Sequence, residues 1–280
     1  MDQQTGERLD PTDALYRADL ERHAAAYRFA AARIAGEPTR APCILDLGCG
    51  AGYGAAALAA AATGASLRVV AFDRARPAGV SSGSLGAACF VQGDLEPLPF
   101  AARSVDVVVS FQVIEHLADP RRYLDELARV LVPGGLALIS TPNRLESDGE
   151  NPFHLREYAP EELERVLAPH FAEVEMLGVF ALGAARRYHA DRLRQIRRIT
   201  RLDPLGLRRR LPRHLVDWLF ARLSVVVRRL VRRGGAMDRV EPSDFAIRPC
   251  DRQSLDCLAV CRGGRQPVGA EAGGARVDHR

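Results

Sequence analysis

Lysine is absent from this chain: all 39 basic residues among its 280 are arginine. We attribute that bias to an Arg- and Ala-rich proteome rather than to chemistry. Also missing is any run of about eighteen apolar residues, which excludes a membrane-spanning helix. The first residues, MDQQTGERLDPTDALYRADL, are polar and acidic and lack the basic start and apolar stretch of a secretory signal, so the sequence points to the cytoplasm. Aromatics are sparse, at 6%, with a single Trp. The six cysteines show no paired C-x-x-C spacing: Cys43, Cys49 and Cys89 sit in apolar runs or beside glycines and read as small core residues, and Cys250, Cys257 and Cys261 have no His nearby. No metal site is expected. No internal repeat is present. An apolar fraction of 47% with 26% charged residues excludes a disordered, collagen-like or disulfide-scaffold chain.

The net charge of +4 hides an asymmetry. Residues 184–240 hold 17 Arg against four acids (Asp191, Asp203, Asp217, Asp238), a local +13 that leaves −9 on the rest. Such a split suggests a surface that meets phosphates, on a membrane or on nucleic acid. On a helix, Arg213–Arg233 would place Leu215, Val216, Leu219, Phe220, Leu223, Val226, Val227, Leu230 and Val231 on one half. Asp217, Arg222, Ser224, Arg228, Arg229 and Arg232 would take the other, with Trp218 and Val225 the exceptions. That pattern suits a helix lying in an anionic membrane surface. An apolar face packed on the protein core, with Arg as solvated coat, is the equal alternative. Nucleic acid is disfavoured, because only Tyr188, Trp218 and Phe220 interleave with the arginines.

Apolar runs alternate with helical stretches along the rest of the chain. CILDLG (43–48), LRVVAFD (67–73), ACFVQGD (88–94), VDVVVSF (105–111) and LALIST (136–141) read as strands apolar on both faces. Separated by helical stretches such as 53–63 and 119–131, they specify an α/β fold with a parallel sheet covered on both sides. Residues 12–35 predict a helix ending at Gly36, and Tyr158–Leu167 another. FAEVEMLGVF (171–180) predicts a sixth strand, and DFAIRP (244–249) with LDCLAVCR (255–262) a return to strand structure after the basic segment. The expected organisation is an N-terminal helical cap (1–40), a core (41–183), a basic helical insertion (184–240), strands completing the core (241–263) and a disordered tail (264–280).

The first strand runs through Asp46 into Gly48-Cys49-Gly50-Ala51-Gly52 and an Ala-rich helix. Glycines at G-x-G-x-G spacing let the backbone turn sharply and bring its N–H groups close to a ligand at a helix N-terminus. A dinucleotide-binding loop is similar but spaced G-x-G-x-x-G, which disfavours a dehydrogenase. Asp73 ends the next strand, where a carboxylate accepts from both hydroxyls of a ribose. Asp94, ending the third, is placed to take the exocyclic amine of an adenine.

With these pieces in order, the sequence resembles the class I S-adenosylmethionine-dependent methyltransferases. The resemblance spans about residues 5–182 and rests on DLGCGAGYG, the Asp after strand two, GDLEPLPF, VDVVVSFQVIEHLADP, ELARVLVPGGLALISTPN and NPFHLREYAPEEL. GERL (6–9), His23 and YRFAA (27–31) look like the N-terminal cap of a bacterial branch whose members accompany glycan-assembly genes. The resemblance implies a Rossmann-like seven-stranded mixed sheet with the last strand antiparallel, and S-adenosylmethionine as cofactor. It implies that Asp46 with Gly48, Gly50 and Gly52 approach the methionine portion, Asp73 the ribose, and Asp94 with the Leu95 amide the adenine. Ser110 and Phe111 would border the sulfonium.

Methyl transfer needs a positioned acceptor and sometimes a base. The candidates are Glu115 and His116 in VIEHL, and His154, Glu157 and Tyr158 in NPFHLREY, with His favoured because it titrates near neutral pH. The bland reading of Glu115–His116 is a cap of the loop before Pro120. Gln112 stands where the branch leads one to expect Glu, which weakens any charged contact to an acceptor amine. The expected activity is transfer of a methyl group to oxygen or nitrogen of a small-molecule, sugar or lipid-linked acceptor, presented at the inner face of the membrane by residues 184–240. A non-catalytic cofactor-binding scaffold and a nucleic-acid methyltransferase are the alternatives.

Overall fold

The computed structural model describes residues 9, 13–37, 42–61, 67–77, 84–85, 87–149, 151–200, 222–223, 225–231 and 237–265. The strands are β1 (Cys43–Leu47), β2 (Arg68–Asp73), β3 (Ser84–Leu85), β4 (Ala88–Gln92), β5 (Val105–Phe111), β6 (Leu131–Pro142), β7 (Phe171–Ala181), β8 (Phe245–Pro249) and β9 (Asp256–Gly264). Among the described residues these nine form one sheet in the order β3-β4-β2-β1-β5-β6-β9-β7-β8. The expected seven strands are its interior, from β4 to β7, with β1, β2, β4, β5 and β6 parallel and β9 antiparallel to both β6 and β7. The two extra strands are edge additions: two-residue β3 against β4, and β8, the predicted DFAIRP run, against β7.

Strands apolar on both sides need cover on both sides, and alternation along each strand sorts the residues. Leu45 and Leu47 of β1, Val108 of β5, Ala137 and Ile139 of β6, and Cys257, Ala259 and Cys261 of β9 face one core. Helices α3 (Arg121–Val130) and α4 (Pro160–Leu167) cover it with Tyr123, Leu124, Leu127, Leu163 and Leu167. Ile44, Val107, Val109, Leu138, Leu258 and Val260 face the other, covered by α1 (Arg17–Ala35) and α2 (Tyr53–Ala61) through Ala26, Tyr27, Ala30, Ala55 and Leu58. The cysteines are all free. Cys257 and Cys261 are ordinary core residues of β9, whereas Cys89, expected in the core, is exposed because β4 turns it outward.

Strand order reverses at β1, between β2 on one side and β5 on the other. At such a switch point the loops leaving the strands' C-terminal ends diverge and open a crevice, where ligands of this fold class bind.

The described parts of the basic segment pack on the cap. Helix α5 (Gly183–Thr200) and the helical residues 222–223 and 225–231 join Ala18 of α1 in a third cluster, built from Ala184, Ala185, Tyr188, Val227, Val231, Met237 and Val240. The helix expected over 213–233 is therefore seen in part; residues 213–221, 224 and 232–233 lie outside the described residues, as do GER of GERL and 266–280 of the expected disordered tail. Its predicted apolar half is divided: Val227 and Val231 are buried, while Leu223, Val226 and Leu230 are exposed. Arg228, assigned to the polar face, is not solvated. Its Nη2 donates to Asp19 Oδ2 at 3.1 Å, with both side chains 11% exposed, and its guanidinium lies 4.5 Å from the Tyr16 ring. A helical wheel sends charge to solvent by default; an acid presented by another element overrides it. No helix among the described residues is long and apolar enough to cross a membrane.

Candidate active site

The glycine loop leaves β1 with Gly48, Gly50 and Gly52 at φ of 78°, 56° and 82°. At Gly48 any side chain is excluded twice: the backbone is left-handed, and a Cβ would lie 2.4 Å from Val113 Cγ2. That approach brings the loop against the residue preceding Ile114–His116, a 3₁₀ turn at the end of β5. A Cβ at Gly50 would meet nothing within 4 Å, so the backbone there faces open space. The amides of Gly48 and Cys49 donate to the Phe72 carbonyl at 2.8 and 3.0 Å, which ties the loop to β2.

Asp73 locks the loop from the side. Its Oδ2 accepts from the Gly50 amide at 2.9 Å and its Oδ1 from Ala75 N–H at 2.8 Å. A carboxylate at this position is an acceptor for hydroxyl donors as well as for amides. Asp94 is exposed in the turn after β4, and Leu95 packs partly into the core beside it.

Asp46 lies fully buried under the loop. Tyr27 of α1 donates to its Oδ1 at 3.0 Å, and Oδ2 is buried with no hydrogen-bond partner. Burial, opposed by the Tyr27 bond and helped by the charge of Asp73, pushes its pKa up to about 7. A cationic amine brought to Oδ2 would offset that cost. The orphaned oxygen and the open backbone at Gly50 thus fit a nucleoside cofactor carrying an amino-acid tail. The sequence marked Tyr27 and His23 as parts of the cap, with no role at the site: Tyr27 contacts Gly54 closely enough to exclude a Cβ there, and His23 Nδ1 lies 2.9 Å from Tyr53 Oη. Both stand on one face of α1 at i, i+4 spacing, a signal present in the sequence but also that of a plain core stripe.

Ser110 and Phe111 divide. The Phe111 ring packs at 4.9 Å on Tyr27, on the face covered by α1. The Ser110 hydroxyl, expected to border the sulfonium, instead accepts from Tyr123 Oη at 2.6 Å and donates to the Leu47 carbonyl at 3.2 Å. Strand alternation turns it towards α3, where it braces β5 against β1.

The three expected catalytic residues come together. The potential ligand atoms of Glu115, His116 and His154 lie within 4.8 Å of one another, and the two imidazole rings meet edge to face at 5.3 Å. The Glu115 carbonyl accepts from the amides of Leu155 and Arg156 at 2.8 and 3.0 Å, which staples the loop carrying His154 onto the 3₁₀ turn. Glu115 is fully buried; Thr141 Oγ1 donates to its Oε2 at 3.0 Å, and its Oε1 is buried without a partner. Burial raises its pKa despite the neighbouring imidazoles.

Each histidine is oriented through Nδ1. His116 Nδ1–H donates to the Phe153 carbonyl at 3.0 Å, and His154 Nδ1–H to Glu157 Oε1 at 2.7 Å. Burial opposes the charge of Glu157, but bonds from His154 and Ser147 outweigh it and lower the pKa. In a neutral ring whose Nδ1 donates, Nε2 is the acceptor atom, and that of His154 stands 2.8 Å from Asn151 Nδ2. Glu157, a candidate base from the sequence, thus orients His154, and Tyr158, another candidate, is fully buried with its hydroxyl unpartnered.

Gln112, at a left-handed φ of 58°, donates through Nε2 to Asp256 Oδ1 and Ser140 Oγ, both at 3.4 Å. Asp256, fully buried, also faces Arg22 Nε at 3.4 Å. A glutamate at 112 would set a second carboxylate against Asp256, so this neighbourhood accounts for the departure at that position.

An α/β sheet with a three-glycine loop at its switch point and acids at the ends of the next two parallel strands defines a protein that binds a nucleoside cofactor. The methyltransferase-domain family matches residues 45–139. A protein of Mycolicibacterium smegmatis described as "Probable S-adenosylmethionine-dependent methyltransferase" is 42% identical over 184 residues, 63% of this chain and 68% of that one. A Mycobacterium tuberculosis protein of the same description is 38% identical over 198 residues, 69% of this chain and 66% of that one. Among solved structures, a SAM-dependent methyltransferase from Thermotoga maritima aligns over 90% of this chain and 98% of its own, at 16% identity and a TM-score of 0.49. The chain belongs to the class I S-adenosylmethionine-dependent methyltransferases: it is an enzyme of that type, and S-adenosylmethionine is its cofactor.

Proposed function

We propose that this methyltransferase acts on a hydroxyl oxygen of a small-molecule, sugar or lipid-linked acceptor, delivered to Glu115, His116 and His154. The observation that carries this reading is the convergence of Glu115, His116 and His154, whose ligand atoms lie within 4.8 Å of one another and include an unpartnered carboxylate oxygen, at the loop end of β5, in contact with the glycine loop through Val113. An alcohol is a poor nucleophile near neutral pH and gains from a group that acidifies or removes its proton; an unprotonated amine does not.

Asp46, Gly48, Gly50 and Gly52 would hold the methionine end, Asp73 the ribose, and Asp94 with Leu95 the adenine. S-adenosylmethionine supplies an electrophilic methyl group. The chain's own residues do the rest: Tyr27 orients Asp46, Glu157 and Phe153 orient the two imidazoles, and the stapled loop 151–158 holds His154 at the acceptor side.

The acceptor class is tested by turnover with methyl-labelled cofactor on a panel of sugars, lipid-linked sugars, phenols and primary amines. Label in an ether of a hydroxylated acceptor is expected; label confined to amines overturns the reading.

Membrane delivery keeps one supporting observation. Leu223, Val226 and Leu230 form an exposed apolar row bordered by exposed Arg222 and Arg229. Flotation with anionic liposomes is expected to carry the wild type up and to leave a Leu223→Ser/Val226→Ser/Leu230→Ser variant behind.

A further inference from the structure

We propose that Glu115, His116 and His154 hold a divalent first-row transition-metal ion to which the acceptor hydroxyl is ligated. The inference rests on the reading of this cluster as the hydroxyl-activating part of the site and changes how activation is done.

Both imidazoles are arranged as metal-bound imidazoles are. A ligating histidine donates its other ring N–H to a carboxylate or a carbonyl, which fixes the tautomer and the ring plane. Here one of each partner is present, the Phe153 carbonyl for His116 and the Glu157 carboxylate for His154. The Glu157 carboxylate is itself held, accepting from Ser147 Oγ at 2.8 Å. Glu115 offers the anionic ligand: Oε2 is held by Thr141, and Oε1, in a fully buried side chain, has no partner. A buried, orphaned carboxylate oxygen beside two imidazoles is a costly arrangement, and a cation between them would offset that cost.

The spacing allows this with small movements. Ligands about 2.1 Å from an ion stand roughly 3–3.5 Å apart, so a cluster spanning up to 4.8 Å closes by rotations of the side chains. His154 Nε2 lies 2.8 Å from Asn151 Nδ2, and that amide would swing away. Two imidazoles and one carboxylate favour manganese, iron, cobalt or zinc over the oxygen-seeking calcium and magnesium. Three protein ligands leave coordination positions open for a substrate oxygen.

Ligation acidifies the acceptor hydroxyl, and its proton passes to water. The new carbon–oxygen bond forms as the methyl–sulfur bond breaks. The electron pair of the broken bond stays on sulfur, which loses its positive charge.

The test is titration of the chelator-treated full chain with Co²⁺ alone, followed by calorimetry and visible absorption. We expect one ion per chain with ligand-field bands, and affinity lowered at least about 100-fold in His116→Gln and His154→Gln. Glu157→Gln, which keeps every ligand, should weaken binding by about 10–100-fold, a change that a merely structural role would not produce. S-adenosylhomocysteine is titrated into the same preparations. Retained nucleoside binding without Co²⁺ binding, or Co²⁺ binding equal in wild type, His116→Gln, His154→Gln and Glu157→Gln, overturns the metal site and leaves the acceptor reading standing. Intact Co²⁺ binding with label confined to amines in the turnover panel overturns the acceptor reading instead.

Discussion

Replacing Arg228 with Met should strand a carboxylate in the contact between α1 and the basic segment. The Arg228–Asp19 bond is 3.1 Å long and both side chains are 11% exposed. At that distance two charges attract by roughly 5 kcal/mol at an effective dielectric of about 20, most of which offsets the cost of burying them. Breaking a buried pair from one side costs roughly 3–5 kcal/mol. Arg192 and Arg22 also act on Asp19 and hold the loss near the lower end, while the contact with Tyr16 disappears as well. We expect destabilisation of about 3 kcal/mol, a fall in Tm of about 5–9 °C for a chain of this size. Burial opposes the charge of Asp19, but the arginines outweigh it and hold its pKa well below the usual carboxylate range. Its stabilising contribution is therefore complete above about pH 4 and fades as pH falls towards the depressed value. The gap between wild type and Arg228→Met should accordingly be constant from neutral pH down to about pH 5 and narrow below about pH 4. Asp19→Asn in the Arg228→Met background should recover most of the loss, with a coupling energy of about 2 kcal/mol in the double-mutant cycle. Circular-dichroism melts across that pH range measure all of this. A Tm within about 1 °C of wild type, or a coupling energy near zero, would refute the docking of residues 222–231 on α1.

Gly48→Ala should lose about 2–4 kcal/mol, from the left-handed backbone and the clash with Val113, together with affinity for S-adenosylhomocysteine; chemical denaturation and calorimetry read both. Because the pKa of Asp46 lies near 7 and an ammonium pairs with its ionised form, S-adenosylhomocysteine should bind up to about tenfold tighter at pH 8 than at pH 6. Calorimetry should find that slope flattened in Asp46→Asn. Asp73→Ala should weaken nucleoside binding at least about tenfold, since it releases the Gly50 amide as well as the ribose; undiminished affinity contradicts the assignment. Gln112→Glu should destabilise by about 1–2 kcal/mol at pH 8 and recover in acid, as one carboxyl of the new pair with Asp256 takes up a proton.

Strands were legible because their residues are apolar on both faces, and the glycine loop because its spacing serves one backbone geometry. The candidate site was legible as positions: Asp46 and Asp73 stand at the ends of β1 and β2, Glu115 and His116 just after β5, and His154 in the loop between β6 and α4. Contacts that depend on another element were not. The partner of Arg228 lies 209 residues away in sequence, and nothing near Arg228 distinguishes it from its solvated neighbours. Ser110 and Phe111 are adjacent, yet strand alternation sends one side chain to α3 and the other to Tyr27, so only the second faces the cap. Glu157 and Tyr27 act through other side chains: one read as a candidate base and the other as part of the cap, because spacing does not separate a residue that orients from one that reacts.

The measurement that bears most directly on the account is turnover and nucleoside affinity determined together on His116→Gln/His154→Gln. Methyl transfer to a hydroxyl acceptor is expected to fall at least about 100-fold, with the Kd for S-adenosylhomocysteine unchanged within about twofold, because Asp46, Asp73 and the glycine loop are intact. Turnover equal to that of the wild type would contradict it.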